Sequence, residues 1–316
     1  MSSTVIPLSR SAKAKQACAL PVYAAIVVEF MVLVILEGAF VRATGSGAGC
    51  GNHWPLCNGD FFPHHPRLAT IIEYTHRSMT GFCTTLVAVL IGWTFFARPR
   101  GDRARRAVVW SGVLLITEAL LGALLVKGGY VESNASNMRV GMQCIHFTNT
   151  MLLLAAITVT WWWLRDRTEP THLSLYARPA AWLALASTVI VGATGSVAAL
   201  ADTLFPSTSL QAALLQDFAS NSPLLIRMRW VHPATALIGL ACAVWLALQL
   251  RSRLGGWVLV LIATQLCLGA ADVLLLAPTW MQLLHLLGAD LYWIALVAAC
   301  ATVLAPRPAS LATGAA

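Results

Sequence analysis

The sequence predicts an all-α, polytopic membrane protein: eight transmembrane helices arranged as two pseudo-symmetric four-helix bundles. Three observations predict it. Of 316 residues, 58% are hydrophobic and only 11% charged, against roughly 25% charged in soluble domains. Mean hydropathy is +0.72, and apolar runs near the ~20 residues that cross a bilayer recur along the whole chain. The two halves also echo one another in short motifs.

The apolar runs set the spans at about 20–43, 68–97, 106–127, 141–164, 177–200, 226–250, 254–276 and 280–304. The first 20 residues lack a small-residue cleavage site after a short apolar region, so no removed signal peptide is expected. The net charge of +8 would suit nucleic acid if it were clustered on a soluble face, but its distribution reports topology instead. With the N-terminus inside, the inner segments collect Arg10, Lys13, Lys15, Arg98, Arg100, Arg103, Arg105, Arg106, Arg165, Arg167, Arg178, Arg251, Arg253 and Arg307, which are 14 of the 21 Lys and Arg. Both termini are therefore expected in the cytoplasm, in a cell inner membrane, with contact to anionic lipid and no nucleic-acid partner.

"VRATGSG" (41–47) closing span 1 matches "VGATGSV" (191–197) closing span 5 at five of seven positions, and "LGA" recurs at 121–123 and 268–270. Chance among small residues is the plainer reading, since such residues are common in packed membrane helices. The shared order and the offsets of 150 and 147 favour duplication. The predicted units are residues 1–170 and 171–316. The outer segments 44–67 and 201–225 are long, 128–140 is of medium length and 277–279 is a short turn.

Eight histidines are present. His53, His64 and His65 fall in the first outer loop and His172 in an inner one. His76, His146, His232 and His285 each fall inside the outer end of an even-numbered span. At about 1.5 Å rise per residue they share a depth of roughly 8–13 Å. One intramembrane histidine reads best as a helix–helix hydrogen bond, but four at one level in matching spans read as metal ligands. No Cys/His spacing suits zinc, whereas facing imidazoles suit a porphyrin iron held axially inside a helix bundle. The pairing expected is His76 with His146 and His232 with His285, one haem site per half. Arg42, Arg77, Arg139, Arg227 and Arg229 gather at the same helix ends, where guanidinium groups could bind haem propionates or simply snorkel to the interface.

"EYTHRSMTGF" (73–82) places Glu73 three residues before His76, on the same helix face. The second half has Arg229 there, so the halves are expected to do different jobs, with Glu73 handling a proton at the first site or forming an ion pair with Arg77 or Arg42. Glu29, Glu37, Glu118 and Asp272 are read only as interhelical pairs. Cys50 and Cys57 share the first outer loop, where an oxidising compartment permits a disulfide, either structural or redox-active. Cys18, Cys83, Cys144, Cys242, Cys267 and Cys300 lie in or beside spans as small hydrophobes.

These residues, taken together, resemble the heme A synthase family of cytochrome oxidase assembly proteins. The resemblance rests on "VRATGSGAGCGNHWPLCNG" closing span 1, "EYTHR" opening span 2 and one histidine at the outer end of each of spans 4, 6 and 8. It implies an oxidoreductase that converts the C8 methyl of heme O to a formyl group by successive hydroxylations, giving heme A. It implies His76 and His146 flanking the substrate haem, with Glu73 beside it, and a heme b on His232 and His285 with Arg42, Arg77 and Arg229 near propionates. It also implies a Cys50–Cys57 pair, a heme O synthase and an electron donor as partners, and leaves room for a homo-oligomer. Two departures stand out: 201–225 carries no second cysteine pair, and His232 precedes Pro233 where His76 precedes Arg77. The rival reading is a di-haem b-type electron-transfer protein that leaves its haems unmodified; a haem transporter or chaperone is a third.

Overall fold

The computed structural model describes residues 10–165 and 173–305, with side chains from residue 19 onward in the first helix. Arg10, Lys13, Lys15, Cys18, Arg167, His172 and Arg307 lie outside the residues whose side chains are described. The elements described are all helices: α1 Arg10–Ala43, α2 Leu68–Ala97, α3 Arg103–Lys127, α4 Asn137–Leu164, α5 Ala177–Leu204, α6 Leu210–Phe218, α7 Leu224–Arg227, α8 Val231–Leu250, α9 Arg253–Leu274 and α10 Thr279–Leu304. Among the described residues, eight segments are long and apolar enough to cross a membrane, α7 and α8 together supplying the sixth.

Capping explains where the helices begin earlier than hydropathy alone predicts. The Asp102 carboxylate accepts the Ala104 N–H and starts α3 at Arg103, and the Ser136 hydroxyl accepts the Arg139 N–H and starts α4 at Asn137. Both satisfy backbone donors that the first helical turn leaves orphaned. The third and fourth spans therefore begin three or four residues ahead of the apolar run.

Two elements differ from the sequence reading. The outer segment 201–225 contains a helix, α6, capped by Ser209. The sixth span is broken between Arg227 and Val231, because Pro233 has no N–H to give and its ring crowds the carbonyl four residues back, at Arg229. The chain crosses the break by short-range bonds, Val231 N–H to Met228 O at 3.1 Å and His232 N–H to Arg229 O at 3.3 Å.

Packing places α1, α4, α5 and α10 at the centre. In the first half α1 packs on α2 and α4, and α3 on α2 and α4. In the second, α5 packs on α8 and α10, and α9 on α8 and α10. The halves meet through α4–α5, α4–α10 and α1–α10. Small side chains line the buried core around this seam: Ala177, Ala180, Ala181 and Ala184 of α5 are fully buried, as is Ala299 of α10, which lets backbones approach as membrane helices require. Polar groups cross it too. Trp293 donates its indole N–H to Met151 O at 2.9 Å, and Trp162 donates its own to the Thr302 hydroxyl at 3.0 Å. Outward faces of α3 and α9 expose Trp110, Ile116, Leu120, Trp257 and Val260, a composition that suits lipid rather than water.

Candidate active site

His76, His146, His232 and His285 come from α2, α4, α8 and α10, each six to nine residues in from the first residue of its span. Each ring lies on a glycine of the span before it. A methyl group at Gly38, Gly122, Gly195 or Gly269 would sit 3.0, 3.9, 2.9 and 2.9 Å from Cε1 of His76, His146, His232 and His285 respectively. Two of these distances are closer than carbon atoms tolerate and the one at Gly38 is at the limit, so glycine lets the imidazole lie against bare helix backbone.

The second-half rings face one another, with centroids 6.2 Å apart and planes at 76°. Two imidazoles that share one ion through bonds of about 2.0–2.1 Å, with each ring centre roughly 1 Å behind its nitrogen, have centroids about 6 Å apart. The His232–His285 pair therefore has the spacing of two axial ligands. In the first half, His76 and His146 lie within electrostatic reach of each other.

Hydrogen bonds aim the rings. Nδ1 of His232 is 3.1 Å from Val191 O, which makes Nδ1 the protonated nitrogen and leaves the Nε2 lone pair free, the arrangement usual for metal-ligating imidazoles. The Gln265 amide nitrogen lies 3.0 Å from Nδ1 and 3.3 Å from Nε2 of His285. Nδ1 of His146 faces the Glu118 carboxylate at 3.5 Å but makes no hydrogen bond. Nδ1 of His76 is buried without a partner. Among the described residues no group of three or more His, Cys, Asp and Glu is placed to hold a metal alone. Histidine pairs fit an ion whose other ligands come from a macrocycle, and so the donor set fits haem.

Glu73 is 3% exposed and both its oxygens are engaged. Oε2 accepts the Cys50 N–H at 2.7 Å, and Oε1 accepts Arg77 Nε at 3.1 Å and Nη2 at 2.5 Å. Arg77 Nη1 donates in turn to His53 O at 2.5 Å and Leu56 O at 2.6 Å. Cys50 and Cys57 form a disulfide, and both are buried. Thr70 donates its hydroxyl to Gly49 O at 2.7 Å. The Glu73–Arg77 pair thus clamps the disulfide loop onto the α2 turn that carries His76.

The other arginines divide. Arg42 donates to Ala199 O at 2.7 Å, Thr203 at 2.5 Å and the Gln282 side chain at 2.8 Å, tying α1 to α5 and α10. Arg229 pairs with Asp217 at 2.8 Å and Asp202 at 3.1 Å, and its Nη2 is buried without a partner. Arg139, 4% exposed, donates to Glu132 O at 2.6 Å and keeps a buried, unpartnered Nε. Buried N–H groups left open at this end suit a carboxylate. Arg227 is exposed.

Sequence reasoning did not foresee the glycine seats, nor the contacts of Glu118 and Gln265 with two of the histidines. A signal existed: Glu118 precedes Gly122 by four residues as Gln265 precedes Gly269, at the same offset of 147 as the repeated "LGA".

A model of the family described as Cytochrome oxidase assembly protein matches residues 21–297. The chain is similar to a protein named Protoheme IX farnesyltransferase from Thermus thermophilus, 40% identical over 281 residues that cover 84% of this chain and 45% of that protein. It is similar to proteins named Heme A synthase from Bacillus cereus and Bacillus anthracis, each 36% identical over 129 residues that cover 40% of this chain and 40% of the relative. The chain thus spans less than half the length of these relatives. With eight membrane-length helices and a family match running from the first span into the last, the chain belongs to the cytochrome oxidase assembly protein family.

Proposed function

We propose that this protein is a heme A synthase, oxidising the C8 methyl of heme O to a formyl group. The observation that carries the reading is the repeated seat: four imidazoles at one end of the molecule, each laid on a glycine of the preceding span, with one pair at the spacing of two axial ligands. The names of the Bacillus relatives point to heme A. The name of the longer Thermus relative points to haem farnesylation as the adjoining chemistry, which makes a heme O synthase the expected partner beside an electron donor.

In this reading the half spanning 1–170 takes the substrate between His76 and His146, and the half spanning 171–316 holds a heme b on His232 and His285. A heme b there would supply electron relay. The protein's own groups place the substrate and shape its surroundings. Glu73 offers a carboxylate one helical turn from His76 to handle a proton, and fixes the loop beside it. Arg139 and Arg229, each with a buried N–H left open, would bind haem propionates, while Arg42 and Arg77 would hold the surrounding backbone in place. The apolar interior keeps water from the reacting carbon, and a prenylated porphyrin would enter sideways from lipid. The membrane is the cell inner membrane, with both termini cytoplasmic.

The test is extraction and weighing of the haems from protein produced together with a heme O synthase. Heme O with hydroxylated or formylated derivatives is expected. Unmodified heme b alone, with heme O supplied, would identify a di-haem electron-transfer protein instead, and haems released unchanged under oxygen and reductant would identify a carrier.

A further inference from the structure

Glu118 and Gln265 occupy matching places in the two halves and meet matching histidines, yet one is an acid and the other its neutral amide. Glu118 of α3 lies against His146 of α4, with Oε1 3.5 Å from Nδ1. Gln265 of α9 lies against His285 of α10, its amide nitrogen 3.0 Å from Nδ1 and 3.3 Å from Nε2. Each stands four residues before the glycine on which its histidine rests. Both positions are built. The Glu118 carboxylate accepts from the Asn149 amide at 2.6 Å and from the Thr150 hydroxyl. Asn149 is itself held by Leu114 O at 3.0 Å and the Thr117 hydroxyl at 2.8 Å. In the second half Gly288 stands where the first has Asn149, three residues past the histidine. Any side chain there would collide with the Gln265 amide, a methyl group coming 2.5 Å from its Oε1. The amide is packed in as deliberately as the acid is bonded in.

A carboxylate that takes the Nδ1 proton of a ligating imidazole makes the opposite nitrogen a stronger donor, and ligand basicity is one of the levers that set an iron's potential. A neutral amide pulls far less. Glu118 has two bonds fixing it and stands about 0.5 Å beyond the usual N–H···O distance from Nδ1, within a small turn of the imidazole. We propose that Glu118 is a positioning residue that raises the donor strength of His146, and that the Glu118/Gln265 difference sets the two haem sites at different potentials, the first lower than the second. This inference rests on the haem reading above. It gives a duplicated scaffold two unlike iron sites, the more basic ligand favouring the oxidised ion and the amide-supported one the reduced ion.

The test is spectroelectrochemical titration of the purified full chain loaded with protohaem. His285→Ala isolates the first-half site and His146→Ala the second. In the His285→Ala background, Glu118→Gln is expected to shift the ferric-to-ferrous affinity ratio at least tenfold toward ferrous, a rise of about 59 mV for a one-electron couple, while Glu118→Asp stays near the parent. In the His146→Ala background, Gln265→Glu is expected to move its potential down by a comparable step. Unchanged potentials in loaded variants overturn the proposal. If Glu118→Gln sheds its haem, Gln265→Glu decides: a fall supports the proposal and no change overturns it. A wild-type protein that takes up no haem overturns the parent reading, and is seen before any variant is made.

Discussion

The backbone N–H of Cys50 donates to the Glu73 carboxylate at 2.7 Å, across 23 residues of chain. One end of the loop disulfide is therefore fastened to the helix turn that presents His76, and the same carboxylate is held by Arg77. A residue expected to act on substrate is also a structural fastener, and the two roles separate by substitution.

Glu73→Ala removes both bonds and leaves a largely buried Arg77 without its partner, which costs about 3–5 kcal/mol. The expected result is a lowered melting temperature and no turnover. Glu73→Gln keeps an oxygen for the Cys50 N–H, so melting should fall less. If turnover is still lost in Glu73→Gln while haem uptake persists, the acid is needed for chemistry; wild-type turnover would leave it only a fastener.

Replacing Cys50 and Cys57 together by Ser opens a loop of sequence separation 7, for which chain-entropy loss corresponds to about 2–3 kcal/mol. The loop keeps its bonds to Arg77 and Thr70, so it should stay docked. Melting with and without reductant should fall for the wild type on reduction and not for the double variant, while the haem spectrum survives in both.

The glycine seats predict a graded series. Gly195→Ala and Gly269→Ala put a methyl group 2.9 Å from a ring carbon and should displace His232 or His285, erasing the second-half haem absorbance. Gly122→Ala, at 3.9 Å, should load normally. Equal loading of all three would mean that the rings do not need bare backbone. His232→Ala and His285→Ala should abolish the same absorbance outright.

Arg42 joins α1 to α5 and α10 through three bonds, each from a charged donor and worth about 1.5–3 kcal/mol. Arg42→Ala should lower thermal stability by several degrees and loosen the seam between halves. Faster amide exchange in α5 and α10 would register it, and unchanged exchange there would show that the remaining packing between the halves suffices.

Much of this architecture was readable because hydropathy adds along the chain. A run such as 177–200 declares itself without knowledge of its neighbours. The four histidines were readable for the same reason, as expensive groups repeated at one depth. Glu118 was not, because its meaning lies in which face of α3 meets α4, and Asn149, Thr150 and His146 are brought to it by packing rather than by spacing. The α6 helix escaped because nine residues in a loop carry too little periodicity to stand out. The break before Val231 had a visible cause in Pro233, yet an apolar run spans the break without a gap, so composition reads it as one rod.

That break gives the two halves unlike mountings. His76 is the ninth residue of an uninterrupted α2, while His232 is the second residue of α8, just past a turn of three non-helical residues. Arg229 sits in that turn and is paired with Asp202 and Asp217, the latter on α6. The Asp217–Arg229 pair thus ties α6 to the backbone just before one imidazole, whereas its twin stands on continuous helix.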